Sequence, residues 1–232
     1  MAATRLENLF LSTLSHFSLK NSTVRMLAPS GEIRTIDIRA LKWKNSGARH
    51  QAQGVLSLRG TSFNALTVQA DFLSVRGLKD ADGRIYVDAK DISVRPWLEK
   101  NLSTRHEIEK GRVSFEAWLK IKAGQLASAQ LNLSDSYLEW QHQKQKQTVA
   151  IKGGTLLLTP KGEKHLRLDT NALLLETNGV AWPALDVHAL WQPESWKLNI
   201  SELSVPSLRP LVSLLDADGK VERIVKALNP QG

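Results

Sequence analysis

From Gln51 to Ile200, apolar residues mostly return at every second position, and this two-residue period restricts the fold more than any other feature of the chain. Ala52, Gly54, Leu56 and Leu58 alternate with Gln51, Gln53, Ser57 and Arg59. Leu66, Val68, Ala70 and Phe72 alternate with Thr67, Gln69 and Asp71. Ile85, Val87 and Ala89 repeat the pattern, and its most regular instance sets Val113, Phe115, Ala117, Leu119 and Ile121 against Ser114, Glu116, Lys120 and Lys122. It continues in Ala127, Ala129, Leu131 and Leu133, in Leu166 and Leu168, in Leu185, Val187, Ala189 and Trp191, and in Trp196, Leu198 and Ile200. Strands buried on both faces would read as unbroken apolar runs; strict alternation belongs to antiparallel sheet with one apolar and one wet face. Ile36 and Ile38 change parity to Leu41 and Trp43, which predicts a β-bulge between them.

Turn signals punctuate the strands at Pro29-Ser30-Gly31, Asp80-Ala81-Asp82-Gly83, Ala123-Gly124, Gly153-Gly154, Pro160-Lys161-Gly162 and Asn178-Gly179. The pieces between them are too short for crossover helices, so the chain is predicted to meander. Arg5 to Phe17 carries Leu6, Phe10 and Leu14 at helical spacing and predicts a short amphipathic lead-in. Ile92–Leu98 and Val205–Val212 both place Arg-Pro at a strand exit ahead of an apolar pair, and proline suits the first turn of a helix. The echo predicts two repeated units joined and ended by short helices: a lead-in at 1–17, a first unit at 18–104, a second at 105–217 and a helical or disordered tail at 218–232.

The composition, 42% apolar and 23% charged, is that of a folded domain. A net charge of +8 raises nucleic acid as a partner, yet no run of five or more Lys/Arg and no nucleic-acid-binding signature occurs, so none is expected. The absence of cysteine removes disulfides and thiol chemistry. The six histidines are dispersed, without His-x3-His or HExxH spacing. Asp80-Ala81-Asp82-Gly83 and Asp216-Ala217-Asp218-Gly219 lack the glycine and glutamate of a calcium loop and read as turns. No nucleophile elbow, phosphate loop or dinucleotide motif is present. Neither catalysis, metal nor cofactor is expected. Seven tryptophans suggest a glycan platform or, more simply, shielding at sheet boundaries. No apolar run reaches bilayer length and Met1-Ala2-Ala3-Thr4 is not a signal peptide, so any export and anchoring segment is expected outside this sequence.

The runs His16–Ser22, Asp91–Leu98, Gly111–Trp118 and Val180–Pro183, in that order and spacing, resemble the N-terminal periplasmic region of long AsmA-like proteins. The resemblance covers about residues 6–215, with no single diagnostic motif. It implies a bridge-like lipid-transfer protein: a mainly β, elongated, strongly curved antiparallel meander forming an open groove. It further implies periplasmic localisation, an inner-membrane anchor supplied from outside this sequence, and continuation into the remainder of a longer chain. Phospholipid acyl chains are the implied partner, and there is no catalytic residue to carry over. Parity then nominates Leu56, Leu58, Leu66, Val68, Phe72, Val113, Phe115, Leu119, Ile121, Leu131 and Leu133 as groove lining. Periodicity alone is equally compatible with the core of a closed sandwich or barrel. Two other functions fit the same residues: a β-sandwich binding glycan or protein, and a scaffold for outer-membrane assembly through an open sheet edge.

Overall fold

The computed structural model describes residues 9–27, 33–58, 66–74, 77–94, 107–142, 144–162, 165–192, 195–202 and 210–211. Among them a single π-helical turn, Leu9–Thr13, leads into β1 (His16–Leu27), β2 (Ile33–Ser46), β3 (Arg49–Leu58) and β4 (Leu66–Leu73). A 3-10 turn at Leu78–Asp80 precedes β5 (Asp82–Ser93), β6 (Glu107–Lys122), β7 (Gln125–His142), β8 (Gln145–Pro160) and β9 (Leu166–Thr177). The short β10 (Val180–Ala181), then β11 (Val187–Gln192) and β12 (Ser195–Ile200), complete the series. All twelve strands join one open antiparallel sheet in chain order, with β10 alone off the path, paired to β9. The predicted meander is what forms. It follows from short hairpin connections: Ala123-Gly124 and Asn178-Gly179 both have positive φ at two successive residues, the backbone that closes a two-residue hairpin without splaying its strands.

Packing divides the chain into two compact units. The first holds residues 1–90 and 116–131 and the second 91–115 and 132–232. Within the first, β1 to β5 pair in continuous antiparallel register. The register slips between Ile38 and Ala40, where the parity change of β2 predicted a bulge. Arg39 is the extra residue, and Asn21 on β1 has a φ of 46°. Asp80 and Asp82 act as turn residues: Asp80 Oδ1 accepts from Ser74 Oγ at 2.9 Å and Asp82 Oδ1 from the Ala123 amide at 2.6 Å.

Within the second unit, β8 pairs β9 and β11 pairs both β9 and β12. Its most buried cluster is Ile108 against Trp140, flanked by Leu138 and Val149. Trp182 is also buried and donates Nε1–H to Thr177 Oγ1 at 2.8 Å.

Two expectations change. Gly153-Gly154 does not separate strands; it lies inside β8, where the register against β9 shifts twice. Gly154 has a φ of 131° and a Cβ there would sit 2.7 Å from Leu173 Cα, so glycine marks a close approach of two strands rather than a turn. The predicted lead-in helix is shorter: His16 and Phe17 already belong to β1, where Phe17 pairs with Trp43 and stacks on its ring at 5.7 Å. The helices predicted after Arg95-Pro96 and in the tail, and the turns Pro29-Ser30-Gly31 and Asp216–Gly219, lie largely outside the described residues.

Candidate functional site: the apolar face

Cross-strand partners point to the same side of a sheet, so register converts the sequence pattern into surfaces. In the first unit the rows Phe17–Trp43–Ala52–Ala70–Ile85, Leu19–Leu41–Gly54–Val68–Val87 and Ser22–Ile38–Leu56–Leu66–Ala89 stack into one apolar face. The bulge keeps it continuous by returning Ile38 to the side occupied by Leu41. The opposite rows, such as Lys44–Gln51–Asp71–Arg84 and Lys42–Gln53–Gln69–Tyr86, are polar, and Gln51 Nε2 donates to Asp71 Oδ2 at 3.2 Å. Arg49 Nη2 reaches Asp71 Oδ2 at 2.6 Å and holds that carboxyl below its usual range. The Tyr86 hydroxyl donates to Glu116 Oε1 at 2.7 Å, which pushes the phenol up to about 12.

Burial separates a core from a surface here. Leu56, Leu66, Val68 and Phe72 are half-buried, as are Ile36, Leu41, Ile85 and Val87, while Ile38 and Ala89 on the same face are buried. In a two-layer fold such central apolar residues meet a second element and lose nearly all their exposure. Here every strand among the described residues belongs to the same sheet. Leu58 occupies the register position opposite Ile36, next to these rows.

The segments of β6 and β7 in this unit extend the same logic. Trp118 is exposed and lies 5.4 Å from the ring of Tyr86, on the wet side with Glu116. By alternation Leu119 and Ile121 fall on the apolar side, and both are half-buried. Leu131 is half-buried too. The remaining nominated residues, Val113, Phe115 and Leu133, belong to the second unit and are likewise half-buried.

One end of the first unit's face is walled by aromatic rings. Phe10 from the lead-in packs on Phe17 at 4.9 Å, Phe17 on Trp43, Trp43 on Phe72 at 5.8 Å and Phe72 on His50 at 5.1 Å. Asn45 pins this wall. Its amide nitrogen donates to the carbonyls of Phe10 and Leu14, while its Oδ1 accepts from Trp43 Nε1 and His50 Nδ1, each at 2.7 Å. His50 is therefore a buried structural histidine, as dispersal of the histidines predicted.

In the second unit, Leu158–Leu168–Ala189–Leu198 and Pro160–Leu166–Trp191 form apolar rows across β8, β9, β11 and β12. Trp191 is 63% exposed, Leu198 47% and Leu166 38%. On the reverse side lie Asp169–His188–Asn199 and Arg167–Leu190–Lys197. Asp169 accepts from Arg167 Nε at 2.7 Å and from His188 Nδ1 at 2.8 Å, and these two contacts hold its carboxyl below its usual range. The basic cleft so formed went unnoticed in the sequence because Arg167, His188 and Lys197 stand far apart until register aligns them. The aromatic wall was missed because β1 hides its period behind Asn21.

Among the described residues no group of three or more metal-ligating side chains occurs, and no helix is long and apolar enough to cross a membrane. Trp140 and Trp182 are buried, and Trp43 stacks on Phe17, which leaves Trp118 and Trp191 as the exposed tryptophans among those described. They belong to different units.

No solved structure matches the chain. It is 29% identical over 198 residues to the intermembrane phospholipid transporter YhdP of Escherichia coli (strain K12), an overlap of 84% of this chain and 15% of that protein. The chain thus spans about one-seventh of its relative's length. The model of the YhdP protein family matches residues 2–232, and with nearly its whole length inside that match the chain belongs to the YhdP family.

Proposed function

We propose that this chain is one section of a periplasmic, inner-membrane-anchored protein that conducts phospholipid acyl chains along the apolar faces of its β units, towards the outer membrane. The observation that carries the reading is the continuous apolar face of the first unit, whose central Leu56, Leu66, Val68 and Val87 keep part of their surface exposed. The relative's role as an intermembrane phospholipid transporter agrees with it. Covering such a face with hydrocarbon gains ~0.8 kcal/mol per CH₂, so a tail of roughly 16 carbons gains on the order of 10 kcal/mol before ordering costs. The gain is spread along rows of Leu, Val and Ile with no deep pocket, which favours sliding over tight capture. Transport of this kind asks for no catalytic group. In this reading residues 18–104 and 105–217 are successive groove units along the chain, the faces curve into troughs, and the remainder of the longer protein continues them.

Val68 sits at the centre of the first unit's face between Gly54 and Val87, and Leu119 stands on the same side. Val68→Asp and Leu119→Asp are expected to abolish co-purification of phospholipid as read by native mass spectrometry, with circular dichroism unchanged. Gln69→Asp, on the wet side, is expected to leave lipid bound. Retention of lipid by both apolar-face variants would falsify the reading.

A further inference from the structure

We infer that the wet face of β9, β11 and β12 carries a phosphate site, and that it holds the phosphodiester of a phospholipid whose chains lie on the apolar face of those same strands; the second half of this inference rests on the transport reading above. The site is a cleft of about 570 Å³ running from Lys161 and Gln192 at the strand ends to Asn199, with Ala189, Leu190 and Leu198 also in its lining. Among the described residues, three permanent cations, Lys161, Arg167 and Lys197, line it against one carboxylate, Asp169.

Asp169 does not neutralise the cleft so much as arrange it. Its side chain is only 18% exposed, whereas Arg167 is 53% and His188 57% exposed. The carboxylate takes Arg167 solely through Nε, at 2.7 and 3.1 Å to its two oxygens. That grip fixes the guanidinium plane and leaves both terminal nitrogens without a partner among the described residues. A fixed guanidinium presenting its terminal N–H groups is the geometry that recognises phosphate oxygens in a planar, two-pronged fashion. Asp169 likewise takes His188 by Nδ1 at 2.8 Å, which leaves Nε2 without a partner among the described residues. Lys197 is in the same register row as Arg167, with Leu190 between them, and supplies a mobile point charge to the same anion.

The reverse side of these strands identifies the rest of the ligand. Successive side chains point to opposite faces, so one residue step separates the basic row from Leu166, Leu198 and Trp191. Trp191 is the most exposed of them, and indole favours the boundary between hydrocarbon and a wet, charged layer. A phospholipid bent over the strand ends meets apolar side chains with its tails and Arg167 with its phosphate.

The test is calorimetric titration of the chain with three probes: dihexanoylphosphatidylglycerol below its micellar concentration, dihexanoylglycerol, and inorganic phosphate. The phosphatidyl probe is expected to bind at least tenfold more tightly than the uncharged diacylglycerol. Arg167→Ala combined with Lys197→Ala is expected to abolish that difference while leaving diacylglycerol binding unchanged. Arg167→Lys is expected to restore part of it. Asp169→Asn, which keeps both lysines but frees the guanidinium, is expected to lose at least threefold for the phosphatidyl probe alone, marking Asp169 as a positioning residue. Equal affinity for the two lipids in the unaltered chain, or a difference that survives the double variant, overturns the phosphate site. Binding of inorganic phosphate as tight as that of the phosphatidyl probe makes the cleft a free-anion site and overturns the lipid assignment. Failure of diacylglycerol to bind, with the phosphate difference intact, counts against the apolar-face reading and not against the cleft.

Discussion

Asn45 is the residue on which the aromatic wall of the first unit depends. Its amide group uses two donors and one doubly accepting oxygen, serving two main-chain carbonyls of the lead-in and two ring nitrogens of the sheet. Because the nitrogen must face the carbonyls, the oxygen must face His50, and the proton of His50 is thereby placed on Nδ1. Asn45→Ala removes all four bonds at once and leaves His50, which is 2% exposed, without its closest partner. A loss of about 2–3 kcal/mol is expected, read from the urea unfolding midpoint, since an unsatisfied buried polar group costs about 1–3 kcal/mol. Asp169 makes a second prediction at this scale. Arg167, and after it His188, depress its folded pKa, so the stability it contributes is fully present above the ordinary carboxylate range and is lost as pH falls through the lower folded value. Unfolding midpoints between pH 6 and pH 2 should therefore drop less steeply in Asp169→Asn than in the unaltered chain. Identical slopes would mean that the pair is electrostatically inert.

At the scale of strands, two glycines with opposite tolerance separate close approach from mere flexibility. Gly83 on β5 lies across from Phe72, and a Cβ there would sit 2.3 Å from Phe72 Cβ and 2.4 Å from the Asp71 carbonyl oxygen. Those atoms belong to the strand itself and cannot swing away, so Gly83→Ala is expected to cost about 1–3 kcal/mol in the same urea assay. Gly153 on β8 has Leu174 Cδ1 as its nearest neighbour, at 3.9 Å, and Gly153→Ala should change stability by less than about 0.5 kcal/mol. The same contrast explains what could be read from the chain. β3 to β5 and the second half of β6 announce themselves because most of their apolar residues keep one parity. β1 does not: Phe17 and Leu19 are followed by Val24 across the left-handed Asn21, so the period breaks mid-strand. β8 fails for two reasons, since Leu156-Leu157-Leu158 fills both faces and Gly153-Gly154 imitates a turn. Alternation assigns Leu56, Val68 or Leu119 to a side, but only strand order shows whether another layer lies over that side. The basic cleft required more again, because register, not sequence distance, brings Arg167 beside Lys197.

For the molecule as a whole, the proposed open apolar face makes stability a function of what covers it. A ligand that binds the folded chain and not the unfolded one raises stability by RT ln(1 + [L]/Kd), which is about 2.7 kcal/mol at a hundredfold excess over Kd. A closed sandwich of the same composition would gain nothing from soluble short-chain lipid, because its hydrocarbon is already buried against itself. The two architectures therefore differ in a bulk measurement that needs no knowledge of the transported species. Delipidated chain is expected to melt at a lower temperature than chain saturated with dihexanoylphosphatidylcholine, and the increment should grow with the logarithm of lipid concentration below the micellar threshold. Val68→Asp should flatten that dependence, since a carboxylate at the centre of the first face must be desolvated by any tail laid across it. Gln69→Asp places the same charge one residue away on the wet side and should preserve the dependence. A melting temperature indifferent to lipid in all three chains would mean that the apolar rows are satisfied by protein alone, and a conduit for acyl chains would have no surface on which to run.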